Sequence, residues 1–121
     1  MFLWRCEVWA YRLVAPYTFE RLDVPDKTAD DVGDRHVLLR FMAAGVCGSD
    51  LPPFRGVRGK IEGDTGLNAA EMVGFPVHEV VGEVLASRHV DHRVGDRVVG
   101  WASGFDGLMG LVVADGDALA P

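Results

Sequence analysis

The sequence is poor in cysteine, in positive charge and in long apolar runs. Only Cys6 and Cys47 occur among 121 residues, too few for the disulfide framework of a small secreted protein. Lys and Arg number 12 against 18 Asp and Glu, and this acidic balance argues against nucleic acid or a membrane surface as partner. No apolar run approaches the roughly 18 residues of a membrane-spanning helix, and charges interrupt the start where a signal peptide needs an apolar stretch. We therefore expect a soluble cytoplasmic domain.

The chain has enough apolar residues, 49% of the total, to bury the core of one domain. Apolar and polar residues alternate over short segments that are rich in Val, Leu and Phe and bounded by Gly, Asp or Pro, a pattern typical of strands. Only residues 67–73 have a helical pattern. The sequence thus predicts a mainly β domain, a barrel or a sandwich. The predicted strands are 4–9, 17–24, 36–44, 77–86, 97–102 and 108–114.

Two short motifs, on either side of a Gly- and Pro-rich segment at residues 50–66, contain side chains that bind metals. GVCGSD at 45–50 ends one predicted strand, and PVHEVVG at 76–82 begins another. Thiolate, imidazole and carboxylate are all zinc ligands. Each motif also has a simpler interpretation, because Cys47 could be a small buried hydrophobe and His78 with Glu79 a hydrogen-bonded surface pair. A zinc-protease HExxH motif is excluded, since residue 82 is glycine.

Four motifs in the same order resemble the medium-chain, zinc-dependent alcohol and polyol dehydrogenase superfamily. GVCGSD resembles its first zinc-ligand motif, HEVVG at 78–82 its His-Glu-x-x-Gly element, and VGDRVV at 94–99 its Val-Gly-Asp-Arg-Val turn. Residues 107–121 resemble the stretch that precedes the nucleotide-binding half. The resemblance implies that residues 1–121 form a GroES-like catalytic domain, a partly open β-barrel with little helix. It further implies a fragment of a longer dehydrogenase, without the Rossmann domain.

The resemblance also implies roles for individual residues. Cys47 and His78 would be zinc ligands, Ser49 would begin the proton relay from the alcohol, and Asp50 would orient the ligand histidine. Glu79 would either support the site or, as in the polyol dehydrogenase branch, be the third ligand. In the other branch that ligand lies beyond residue 121. Neighbouring residues of a strand point to opposite faces, so Glu79 can join His78 at a metal only if the backbone bends there.

The sequence departs from the family pattern at several positions. Val77 replaces a glycine before the histidine, and Pro52 stands where some members have a relay histidine. No four-cysteine cluster follows the VGDRVV turn, so a second zinc is not expected. The glycines at 104, 107 and 110 are spaced G-x-x-G-x-x-G, which is not the dinucleotide-binding fingerprint. We therefore predict no cofactor-binding residues here, and expect NAD or NADP to bind only through the missing domain.

Two functional hypotheses follow. The first is the catalytic part of a zinc-dependent NAD(P) oxidoreductase that interconverts a small alcohol or polyol and its carbonyl compound, with the 121 residues alone inactive. The second is a non-catalytic GroES-like binding or interaction module. In either case a surface that the missing domain leaves uncovered could mediate self-association. His89 and His92, in the polar stretch RHVDHR at 88–93, are expected in a solvated loop and, as a second alternative, at an adventitious metal site.

Overall fold

The computed structural model describes residues 7–56, 72–102 and 104–121. Across these ranges the chain forms seven strands in two sheets and one short helix, joined by turns. The strands are β1 (Glu7–Ala15), β2 (Thr18–Pro25), β3 (His36–Gly45), β4 (Glu79–Ser87), β5 (Arg97–Trp101), β6 (Leu111–Asp115) and β7 (Leu119–Ala120), and the helix is α1 (Leu51–Phe54). The prediction of a mainly β domain with little helix is confirmed.

The first sheet is the antiparallel hairpin of β1 and β2. Tyr17, with a φ of 59°, lies in its turn. Isolated bridges join Ala10 to Met109 and Arg12 to Val73, so the hairpin packs against later parts of the chain. Of the predicted helix at residues 67–73, residues 67–71 lie outside the described ranges, and Val73 at its end is in extended pairing with Arg12.

The second sheet has the antiparallel order β6-β3-β4-β5-β7. Its central strands β3 and β4 pair along their whole length, with register shifts at two points. Alternation of apolar and polar residues directs one face of these strands inward. The core that results includes Ala10, Val37, Leu39, Val80, Val84, Val98, Ala102, Met109, Val112 and Ala114. Among the described residues, no helix has the length and hydropathy needed to cross a membrane.

The histidines of the stretch 88–93 are buried, which corrects the prediction of a solvated loop. His89 is 8% exposed and His92 is 5% exposed, and their ring centroids lie 4.9 Å apart. His89 Nε2 donates to Asp117 at 3.0 Å, and His92 Nε2 donates to the Gly116 carbonyl at 2.8 Å. The turn after β4 is thereby fastened to the turn before β7. Both Nε2 atoms are committed to these hydrogen bonds, which does not favour the alternative of an adventitious metal site.

Asp117 is the acceptor at the centre of this junction. Besides the His89 ring it receives two hydrogen bonds from Arg35, from Nη2 at 2.6 Å and from Nε at 2.9 Å. Hydrogen bonds from Arg35 first, and from His89 second, hold the pKa of Asp117 well below its usual range. The folded protein therefore favours the ionised carboxylate, and this stabilisation exists above the ordinary aspartate pKa of about 3.9 and is lost as the pH falls below it.

We expect Asp117→Asn to lower the urea midpoint at pH 7, and the difference from the unsubstituted protein to shrink as the pH falls below about 4, where the unfolded chain takes up the proton. Urea unfolding at a series of pH values measures this. Asp91→Asn, in the same region and exposed, is the control and should have little effect throughout. A difference that stays constant from pH 7 to pH 3 would contradict the ionic origin of this stabilisation.

Candidate metal centre

Three potential metal ligands meet where β3 ends and β4 begins. Cys47 follows β3, His78 immediately precedes β4, and Glu79 is the first residue of β4. One ligand atom of each side chain lies within 4.8 Å of those of the other two. The antiparallel register explains this, because Gly45 at the end of β3 pairs with Glu79 at the start of β4. All three side chains are partly exposed, so a bound ion would remain accessible to a small molecule.

The start of β4 explains how two neighbouring residues can face the same point. The sequence predicts a strand from residue 77, in which His78 and Glu79 would point to opposite faces. In the structure the strand begins at Glu79, and His78 lies outside it, so the alternation does not apply. The His78 carbonyl accepts a hydrogen bond from the Ala102 amide at 2.7 Å, which fixes the backbone at this point.

Gly45 leaves space for the Glu79 side chain. A Cβ atom at Gly45 would lie 3.0 Å from Glu79 Oε2 and 3.6 Å from Glu79 Cβ. The first of these separations is tighter than ordinary van der Waals contact. A larger residue at position 45 would therefore displace the carboxylate from its place beside the other two potential ligands.

Asp50 holds two of the three potential ligands in place. Its carboxylate is almost fully buried, at 3% residue exposure. Oδ2 accepts the backbone N–H of Cys47 at 2.8 Å, and Oδ1 lies 3.0 Å from His78 Nδ1. One side chain thus links the turn after β3 to the residue before β4.

These contacts also decide which nitrogen of His78 could bind a metal. The neighbours of Nδ1 are the Asp50 carboxylate and the Pro76 carbonyl, the latter at 3.2 Å, and both oxygens accept hydrogen bonds. Nδ1 therefore carries the proton, and in the neutral ring Nε2 keeps its lone pair. Metal-binding histidines commonly have this arrangement, in which the other ring nitrogen donates to a carboxylate or a backbone carbonyl.

The donor set fits zinc. A cysteine thiolate, a histidine nitrogen and a carboxylate oxygen are its usual protein ligands, and a catalytic zinc has three of them with a fourth position open. The group formed by Cys47, His78 and Glu79 provides one of each type within a small space.

Ser49 occupies a different environment from the three potential ligands. It is exposed in the short turn Gly48–Asp50, next to Asp50 in the chain and two residues after Cys47. Its hydroxyl forms no hydrogen bond with any residue of the described ranges. The structure thus places it beside the site but does not join it to the ligands.

A small apolar pocket beside His78 was not predicted from the sequence. Among the described residues its lining consists of His78, Trp101, Ala102, Phe105 and Ala118, and its volume is about 230 Å³. The Phe105 ring lies 5.1 Å from the His78 ring, centroid to centroid. The sequence contained one signal for it, two large aromatic residues within the glycine-containing stretch WASGF at 101–105, but only the fold brings Ala118 and His78 to them.

The spaced glycines at 104, 107 and 110 do not make a phosphate cradle. Gly107 and Gly110 are buried. A Cβ atom at Gly107 would overlap Val80, and one at Gly110 would overlap Val8. These two glycines therefore permit close packing, and the residues here do not fit a dinucleotide.

Comparison with known proteins gives one family and a set of similar folds. The family model for the alcohol dehydrogenase GroES-like domain matches residues 33–114. A search of curated protein sequences gives no match. Among solved structures, CurK enoyl reductase has a TM-score of 0.75 at 18% identity, over 93% of this chain and 34% of that chain.

Two further structures show the same fold. Quinone oxidoreductase from Coxiella burnetii has a TM-score of 0.69 at 18% identity. The match covers 94% of this chain and 36% of the quinone oxidoreductase chain. S. aureus TarJ in complex with NADPH has a TM-score of 0.64 at 23% identity, over 96% of this chain and 33% of its own. This chain therefore spans about a third of the length of these relatives.

We predict that Asp50→Ala lowers the free energy of unfolding by about 1–3 kcal/mol, because it leaves the Cys47 amide without its acceptor and removes the carboxylate beside His78 Nδ1. Asp50→Asn should have a smaller effect, since its amide oxygen can replace one acceptor. Urea unfolding in the presence of a chelator measures the free energy of unfolding without any contribution from a bound metal. Asp91→Ala provides the exposed control, and an Asp50→Ala effect no larger than that control would contradict the linking role.

Proposed function

Because the chain belongs to the alcohol dehydrogenase GroES-like domain family, we propose that it provides the zinc-binding catalytic domain of an NAD(P)-dependent oxidoreductase that interconverts an alcohol and its carbonyl compound. This membership confirms the family and the GroES-like fold predicted from the motifs. The observation that supports the proposed activity is the group of Cys47, His78 and Glu79, with Asp50 linking the first two.

In this proposal Cys47, His78 through Nε2, and Glu79 hold the zinc. Zinc at such a site polarises the oxygen of the substrate and lowers the pKa of an alcohol. Asp50 positions the site by fixing the His78 ring and the Cys47 backbone. The Ser49 hydroxyl, exposed beside Cys47, receives the alcohol proton and passes it to solvent.

The nicotinamide cofactor that exchanges the hydride is proposed to bind to another part of the whole protein. Neighbouring side chains occupy the space beside Gly107 and Gly110, which leaves no room there for a phosphate. NADPH is bound in the structure of S. aureus TarJ. Residues 1–121 are then expected to be inactive by themselves. Their contribution is to hold the metal and the oxygen end of the substrate.

The second candidate is a binding or interaction module with the same fold and no catalytic metal. It is favoured by two departures from the family pattern, Val77 before His78 and Pro52 at the position of the relay histidine. The two candidates differ in whether this chain binds zinc.

We expect protein purified without chelator to contain about one zinc per chain, as a single three-ligand site requires. Elemental analysis by mass spectrometry measures it. Cys47→Ser should lose most of the metal, because a hydroxyl is a far poorer zinc ligand than a thiolate, and Glu79→Gln should lose part or all of it.

Glu83→Gln is the matched control for Glu79→Gln. Glu83 lies on the same strand but pairs with Arg40 on the surface, so this variant should keep its zinc. A folded protein without zinc would contradict the proposed function and favour the module. Zinc that remains in Cys47→Ser would contradict the proposed ligand set.

A further inference from the structure

We propose that the hairpin of β1 and β2 positions the candidate metal centre through α1. The rings of Tyr17 and Phe19 hold Phe54 at the end of the helix. The helix in turn holds the residues before it, among them Cys47 and Asp50. The inference rests on the proposed function for the role of zinc. The coupling itself is a property of the metal-free protein.

The segment at residues 47–56 has few means of maintaining its own shape. Its helix contains four residues, Leu51–Phe54, and two of them are prolines, which have no amide hydrogen to donate. Helices shorter than about 12–15 residues are marginal in water without tertiary contacts. Backbone hydrogen bonds link the turns of the segment in succession, so it forms one continuous unit. Contacts at its two ends therefore decide where that unit lies.

The two ends of the segment are attached to different parts of the protein. Asp50 attaches its start to the residue before β4. At its end, the Tyr17 amide donates to the Phe54 carbonyl at 2.8 Å. A Cβ atom at Gly56, whose φ is 78°, would overlap the Pro16 ring, so the end of the segment packs directly on the hairpin turn.

The side chain of Phe54 contacts two aromatic rings of the hairpin. The Tyr17 ring lies 5.3 Å from it, centroid to centroid, at an interplanar angle of 82°. The Phe19 ring lies 5.6 Å from it at 21°. Both separations are within the range in which aromatic pairs attract each other. These three residues form an aromatic clamp between the hairpin and the helix.

The conformation of Tyr17 favours a role for its ring beyond the turn itself. Pro16 followed by a residue with positive φ, here 59° at Tyr17, is typical of a type II turn, in which glycine is the usual residue at the second position. A tyrosine there is less favourable for the backbone. Its side chain is also 66% exposed, so burial provides little compensation. Within the described ranges, the contact with Phe54 is the interaction that accounts for a large ring at this position.

Hydrogen exchange, measured by NMR on the zinc-free chain, tests the coupling directly. Phe54→Ala removes both ring contacts. We expect the hydrogen-bonded amides of Cys47 and Asp50 to exchange about tenfold faster or more, the factor that the loss of two aromatic contacts accounts for. The amides of Gly95 and Gly116, which are hydrogen-bonded in other turns, are the references and should show no such increase.

Three variants separate this positioning role from a purely structural one. Tyr17→Gly removes one ring contact but suits the turn, so it should speed exchange at Cys47 with little change in the urea midpoint. Leu22→Ala weakens packing against the core on the opposite face of β2 from Phe19. It should lower the midpoint but leave exchange at Cys47 in step with the reference amides. Phe54→Tyr keeps the ring and should behave like the unsubstituted protein.

Zinc affinity provides a second readout, measured by competition with a chromophoric chelator. Phe54→Ala should bind zinc about tenfold more weakly than the unsubstituted chain, a loss at the lower end of that seen when the support of metal ligands is removed. Leu22→Ala should bind zinc as the unsubstituted chain does.

The inference is overturned if exchange at Cys47 is unchanged in Phe54→Ala, or rises only by the same factor as at the reference amides. Equal zinc affinity of Phe54→Ala and the unsubstituted chain would also overturn it. If the unsubstituted chain binds no zinc while the exchange rates change as expected, the proposed function fails and the coupling stands.

Discussion

The carboxylate of Asp50 is the interaction on which the candidate metal centre depends. Burying an ionisable group is unfavourable unless polar partners replace its water. The Asp50 carboxylate accepts a hydrogen bond from the Cys47 amide and lies 3.0 Å from His78 Nδ1. Those two groups belong to segments far apart in the chain, so the carboxylate joins the end of β3 to the start of β4. Two acceptors near His78 Nδ1, this carboxylate and the Pro76 carbonyl, favour the tautomer in which Nε2 can bind a metal. The Asp50 side chain therefore links the two ligand segments and helps to set the tautomer of His78.

The sheet supplies the remaining geometry. Pairing of β3 with β4 sets Gly45 opposite Glu79, which allows the glutamate to approach the other two side chains. Pairing of β4 with β5 brings Trp101 next to Glu79 and provides the amide that binds the His78 carbonyl. The metal centre lies at the ends of β3 and β4 and the apolar pocket lies beside the start of β4 and the end of β5. A shift of β4 would therefore disturb both.

The mainly β fold could be predicted because alternating apolar residues indicate strands. The candidate ligands could be predicted because their motifs occur in the order typical of the family. Three features could not. The meeting of His78 with Glu79 depends on a strand that begins later than its apolar pattern indicates. The burial of His89 and His92 depends on hydrogen-bond partners in residues 116–117, distant in sequence. The role of Phe105 depends on a turn that carries its ring back to His78. Each is a tertiary contact, which local periodicity does not encode.

The central claim is that Cys47, His78 and Glu79 form a preorganised zinc site. Its most direct test is zinc-edge X-ray absorption of the chain loaded with about one equivalent of zinc. The claim predicts one sulfur ligand at about 2.3 Å, with nitrogen and oxygen ligands at about 2.0–2.2 Å. A first shell containing only nitrogen and oxygen would contradict it, because zinc would then be bound without Cys47.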